Sequence, residues 1–225
     1  MLRYLDQGNL YDKALGPVQL PTGPVTINCP INNNVYSQRV PIFLCPSDPS
    51  VGSGGVVTVD EIAWGASCYA SNSQVFSPIP GDPQGKTRLT DIKDGTSNTI
   101  LYAEKYARCK SSTSMSLDGG SFWAYCAFAE VSLPPPMNPP GKLFRPGFAI
   151  PFPMWPNAIG LGSKFQVQPR EGDCDPTRAA TAHAGGMQVC LADGSVRTLA
   201  PNMSPDTWWW AVTPSVGEVL GSDWW

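Results

Sequence analysis

Strict alternation of apolar and polar residues is rare in this chain, and where it occurs it predicts short strands rather than long helices. Residues 2–15 place Leu2, Leu5 and Leu15 with Tyr4 and Tyr11 on one helical face, with Gly8 weakening the middle, and predict a short helix. Residues 16–38 mix Pro, Gly and Asn with small apolar groups and predict a loop carrying one short strand. The apolar run from Arg39 is closed by a turn at Pro46-Ser47-Asp48-Pro49. A strand is expected near Val56–Val59, and residues 67–76, small and polar around Tyr69, predict a surface loop. Residues 87–95 predict one helical turn with Thr90 or Asp91 at its start, then a chain reversal at Asp94-Gly95. Residues 96–107 are rich in β-formers at their centre. Glu104 and Lys105 there face opposite sides, with Glu104 partly buried and satisfying loop amides.

The clearest element is a hairpin over residues 187–200. Asp193-Gly194 predicts a two-residue type I′ turn, which pairs Leu191 with Val196, Val189 with Thr198 and Met187 with Ala200 on the buried face. Gln188, Cys190 and Arg197 then take the other face. After the hairpin come five of the eight tryptophans: Trp208, Trp209, Trp210, Trp224 and Trp225. Three adjacent indoles cannot all enter one core. Packing, a subunit contact and stacking on a sugar ring are all open readings for them. Residues 133–156 are dense in proline, which cannot donate to a ladder, so they predict an extended insertion rather than an interior strand. A polyproline ligand is the functional alternative, but the interleaved Phe, Met and Trp favour packing on the body.

Composition narrows the class. The 225 residues suit a single domain, 1–225, and a hydrophobic fraction of 42% suffices for a core. Glycine (22) and proline (24) argue for many ordered loops and against a helical bundle. The net charge of -3 offers no basic surface for nucleic acid or for an anionic membrane. The single histidine, His183, argues against zinc sites of the Cys-His kind and multi-histidine centres, so no metal ligand or cofactor is assigned. Seven widely spaced cysteines without a C-x-x-C pair suggest a few disulfides in an oxidising compartment. Cys29, Cys45, Cys68, Cys109, Cys126 and Cys174 are the candidates, and Cys190, in mid-strand, is the expected unpaired thiol.

The segment TAHAGGMQVCLADGSVRTLAP, in which nine residues separate His183 from Asp193-Gly194, resembles the C-terminal signature of the prepilin-like H-X9-DG proteins of planctomycete-type bacteria. LRYLDQGNLYD, FLCPSDP (43–49), LTDIKDGTSNTILYAEKY (89–106), FQVQPREGDCDP (165–176) and GEVLGSDW look like further blocks of that family, in order. The resemblance implies an α+β, pilin-like fold: an antiparallel sheet with long ordered loops and little helix. It also implies a cell-envelope or extracellular location, and self-association or packing with other pilin-like subunits. The long apolar N-terminal helix of such proteins is not in this sequence, so the expectation is a body truncated of that helix, which would be its only contact with a membrane.

Function is therefore expected to be structural, with a secreted module that binds a glycan or small solute through its tryptophan-rich loops as the alternative. For His183 the expected role is to brace the start of the hairpin, with Gly185 and Gly186 letting the chain bend close by. A Ser-His-Asp arrangement with Ser195 and Asp173 or Asp193 is the catalytic alternative. It is not favoured, because no G-x-S-x-G elbow is present and Ser195 follows a turn. No enzyme activity is expected. Asp193 reads as a turn residue. Calcium at Asp91, Asp94, Thr96 and Asn98 is the one ion kept in view, although the spacing lacks the acidic positions of an EF-hand.

Overall fold

The computed structural model describes residues 2–20, 23–76, 87–112, 118–125, 142–150 and 157–225. It is a mixed α+β fold of small, mostly antiparallel sheets with few helices. The chain opens with a 3-10 turn, Leu2–Leu5, and helix α1, Gly8–Lys13, so Gly8 begins a helix rather than interrupting one. The hairpin of β1 (Leu15–Leu20) and β2 (Gly23–Asn28) follows, then a second hairpin of β3 (Val56–Val59) and β4 (Ile62–Gly65). Strand β5 (Tyr69–Asn72) and the single turn α2 (Ser73–Phe76) occupy the segment expected to be loop. Tyr69-Ala70-Ser71-Asn72 is too polar to signal a strand. It becomes one because neighbouring strands satisfy its backbone and Ala70 and Asn72 fit a tight interior.

Strands β6 (Ile100–Glu104), β7 (Arg108–Lys110) and β8 (Asp118–Gly120) come next. The proline-rich region contributes β9 (Lys142–Leu143), paired with β8, and β10 (Gly147–Phe148), paired parallel to β5. Residues 133–141 and 151–156 of that region lie outside the described residues, as does Cys126. The C-terminal third supplies β11 (Gln166–Val167), β12 (Ala180–Thr181), β13 (Met187–Leu191), β14 (Val196–Leu199) and helix α3 (Pro205–Val212).

The principal sheet has the order β10-β5-β6-β13-β14, so the two-residue proline-region strand sits at one edge, as proline chemistry requires, and β14 at the other. The hairpin is real, but its register differs from expectation by one residue: Cys190 pairs with Val196, Val189 with Arg197 and Met187 with Leu199. Gly194 N–H donates to the Leu191 carbonyl and Leu191 N–H to the Ser195 carbonyl, which makes a three-residue loop. Asp193 keeps a negative φ and only Gly194 is left-handed (φ +85°), the pattern of a type I turn followed by a G1 bulge. The Asp193 carboxylate, held below the usual range by the Ser195 hydroxyl and amide, stabilises that form. In consequence Val196 is 71% exposed, while Arg197 shares the face of Val189 and lays its guanidinium 4.6 Å from the Trp224 ring centre.

Helix α3 explains how three adjacent tryptophans are accommodated. Ser204 caps it, accepting from the Thr207 amide, and Pro205 starts it. Successive side chains lie 100° apart, so Trp208 enters the core with Ala211 and Val212 while Trp209 and Trp210 stay half-buried. Trp208 packs on Phe148 and Phe165 over the principal sheet. A second cluster stacks Trp64 on Phe122 and Phe122 on Phe144. The disulfide Cys109–Cys174 ties β7 to the loop before β12. Cys29, Cys45, Cys68 and Cys190 are free thiols, which corrects the expectation for the first three.

Candidate functional site

Three segments far apart in sequence meet at the end of strand β6. The first is the Cys45-Pro46-Ser47-Asp48 turn, in which the Asp48 amide donates to the Cys45 carbonyl. Asp48 is buried, and its carboxylate accepts from the Ser50 amide and hydroxyl on one oxygen and from the Ala107 amide on the other. That clamps the turn against the exit of β6 and fixes Cys45 there. Cys68 lies close by, and burial, with the Asp48 charge beside it, pushes its thiol strongly upward.

The second segment is the end of β6 itself. Glu104 is 4% exposed, and its Oε2 accepts from the Thr181 hydroxyl (2.7 Å) and the Gln188 amide (2.9 Å). Two donors on one oxygen satisfy that carboxylate inside the fold. Lys105 turns the opposite way, as expected, but is also buried: its Nζ donates to the carbonyls of Arg145 and Gly147, and burial lowers its pKa to about 7.

The third segment runs from β12 into β13. His183 N–H donates to Thr181 Oγ1, and the His183 carbonyl accepts from the Gly186 amide, closing a turn that ends on left-handed Gly186 (φ +130°). The backbone of His183 closes the turn at the start of the hairpin. Its ring does something else. Nε2 lies 3.1 Å from Glu104 Oε1 and 3.5 Å from Cys45 Sγ. A donor atom from each of Cys45, Glu104 and His183 lies within 4.8 Å of both others, the one such three-residue group among the described residues. Cys45 and Glu104 are buried, and the His183 side chain is 39% exposed, at the rim. Tyr69 and Tyr106 border the group, and burial raises both phenols, aided at Tyr69 by Cys45 and Glu104 and at Tyr106 first by Asp48 and then by Cys45 and Glu104.

The residues singled out in the sequence are dispersed otherwise. Ser195 donates its hydroxyl to Asp193 at the hairpin tip, so neither joins His183. Gly185 has open space where a Cβ would stand, whereas one on Gly186 would collide with the Leu199 carbonyl oxygen. Asp94 accepts from the amides of Val216 and Gly217, one on each carboxylate oxygen, and Asp91 Oδ2 accepts from the Arg88 amide at the start of the helical turn. Trp208 and Trp224 are core residues. Trp225 is 82% exposed beside Arg197.

Cys45 and Glu104 are the functional candidates that sequence reasoning missed. No spacing links positions 45, 104 and 183. The available signal was that each lies in a block carrying the resemblance: FLCPSDP, LYAEKY and TAHAGG. No curated protein and no solved structure matches the chain. The sequence model of one family does match, over residues 1–206, and the chain belongs to that family, described as a protein of unknown function, DUF1559.

Proposed function

We propose that the protein is a structural component of the cell envelope, a pilin-like subunit whose body packs against neighbouring copies. The supporting observation is the outer edge of the principal sheet. Strand β14 is terminal in the sheet order, its Val196 is 71% exposed, and the 82% exposed Trp225 stands over the neighbouring Arg197. A strand edge with no further strand beside it among the described residues, flanked by exposed valine and tryptophan, is the kind of surface that a second protein covers. The order of family-like blocks along the chain supports the envelope location. With Trp208 and Trp224 taken into the core, the sugar-stacking alternative retains less aromatic surface.

The test has two arms. Sedimentation velocity of the protein across a wide concentration range is expected to show reversible association that Val196→Lys and Trp225→Ser each weaken. Envelope fractionation of the native cell, followed by immuno-electron microscopy, is expected to place the protein in ordered surface assemblies. A strictly monomeric protein that fractionates away from the envelope overturns the proposal.

A further inference from the structure

We infer that Cys45, Glu104 and His183 form a binding site for a divalent transition-metal ion of the zinc class. The argument begins with which ring nitrogen is used. In a thiol nucleophile with an imidazole base, the thiol and the orienting carboxylate lie on opposite ring nitrogens. Here Glu104 Oε1 and Cys45 Sγ both approach Nε2. One N–H cannot serve two such partners well at once. Three atoms that each carry a lone pair when deprotonated instead lie within 4.8 Å of one another.

Two of the three ligand spacings match a coordination sphere, and the third pair, sulfur and carboxylate, lies within 4.8 Å. Zinc–sulfur bonds of about 2.3 Å and zinc–nitrogen or zinc–oxygen bonds of about 2.0–2.1 Å, at tetrahedral angles, set sulfur and nitrogen about 3.5 Å apart and nitrogen and oxygen about 3.3 Å apart. The observed separations are 3.5 Å and 3.1 Å. Thiolate, imidazole and carboxylate together suit zinc or cobalt better than calcium or magnesium, which take oxygen alone.

A supporting shell is already built. Thr181, fully buried, donates to Glu104 Oε2 and accepts from the His183 backbone amide, so one hydroxyl orients two of the three ligands. The Gln188 amide holds the same carboxylate oxygen and leaves Oε1 for the ion. The Asp48 clamp fixes the Cys45 turn. Three protein ligands leave a fourth tetrahedral position for water, and the half-exposed ring of His183 gives the ion a way in from solvent.

The experiment uses the full chain with its disulfide intact, stripped of metal and titrated with Co2+ alone. One equivalent is expected to produce visible d–d bands and a thiolate-to-cobalt charge-transfer band, both bleached by one equivalent of Zn2+. Cys45→Ser is expected to abolish the charge-transfer band, and Thr181→Val to weaken Co2+ binding about 10–100-fold without removing a ligand. His183→Gln, at the rim, removes a ligand with little disturbance of the core and is expected to lose saturable binding. Cys190→Ser, which removes a different free thiol, is expected to keep the full spectrum. Absence of a saturable one-to-one signal in the unaltered protein overturns the inference whatever the variants do, and so does a charge-transfer band that persists in Cys45→Ser.

Discussion

Asn72 is where the principal sheet and helix α3 are joined, and replacing it by aspartate tests that joint. Its side chain is fully buried. One amide N–H donates to the Ile100 carbonyl and the other to the Val212 carbonyl, each at 2.7 Å, while Oδ1 accepts from the Gln74 amide at 2.9 Å. Two carbonyl acceptors and one N–H donor also fix which end of the amide is nitrogen. Val212 closes α3, so its carbonyl has no partner within the helix. Asn72→Asp keeps the shape and removes both donors. Each orphaned carbonyl costs about 1–3 kcal/mol, so roughly 3–5 kcal/mol is expected at neutral pH once partial relaxation is allowed. The new carboxyl is buried against two oxygens, so its folded-state pKa is raised above the unfolded value of about 3.9. The folded state then binds more protons than the unfolded state above that pH, and stability falls as pH rises, by up to about 1.4 kcal/mol per unit. Urea unfolding followed by tryptophan fluorescence from pH 4 to 8, taken as the difference between variant and parent, measures both quantities. A loss under about 1 kcal/mol with no pH slope refutes the claim that this amide is the joint.

Three further outcomes are expected. Lys105, with a folded pKa of about 7 against about 10.4 unfolded, binds fewer protons in the folded state between those values, so the parent gains stability as pH rises. Relative to Lys105→Met, urea unfolding is expected to show that gain as about 2 kcal/mol between pH 7 and 9; parallel curves contradict it. The hairpin glycines are expected to rank by geometry in thermal melts. Gly185→Ala is near neutral. Gly194→Ala, at φ +85° in open space, costs about 1–2 kcal/mol. Gly186→Ala, at φ +130° and driven into the Leu199 carbonyl, costs more than either. Reduction of Cys109–Cys174, 65 residues apart, is expected to lower stability by about 3–4 kcal/mol in urea titrations with and without reductant. A reduced protein of unchanged midpoint contradicts that estimate.

The parts of the fold legible in the sequence are those whose signal is local. The hairpin at 187–200, strand β3 and strand β6 each carry their own β-formers or turn residues, while the helical turn was legible but misplaced: it starts at Leu89 after Arg88 and ends on Asp91 rather than starting at Thr90 or Asp91. Strand β5 was not legible, because its four residues are polar or small and its place between β6 and β10 is decided by partners 31 and more residues away. The tryptophan tail was half legible. Five indoles left packing, a subunit contact and sugar stacking open, and which of Trp208, Trp209 and Trp210 packs follows from the phase of α3, set by the Ser204 cap and not by tryptophan content. The cysteines were legible only as a class, since pairing depends on Cα separations that spacing does not encode.

The one-residue error in hairpin register bears directly on the candidate site. In an antiparallel strand, alternate residues direct their N–H and C=O groups to opposite neighbours. A two-residue loop at Asp193-Gly194 makes Ala192 and Ser195 the closing hydrogen-bonded pair, so Ala192, Cys190 and Gln188 would all face β14. The three-residue loop that forms makes Leu191 the closing residue instead, donating to the Ser195 carbonyl. Leu191, Val189 and Met187 therefore face β14, and the Gln188 amide is turned toward β6. There β6 has reached its last residue, and the Glu104 carboxylate takes the place of the backbone acceptor. That bond holds Glu104 Oε2 and directs Oε1 at His183. The glycine after Asp193 thus acts at both ends of the strand: its left-handed φ permits the longer loop, and the parity of that loop decides whether the only histidine has a buried carboxylate beside it.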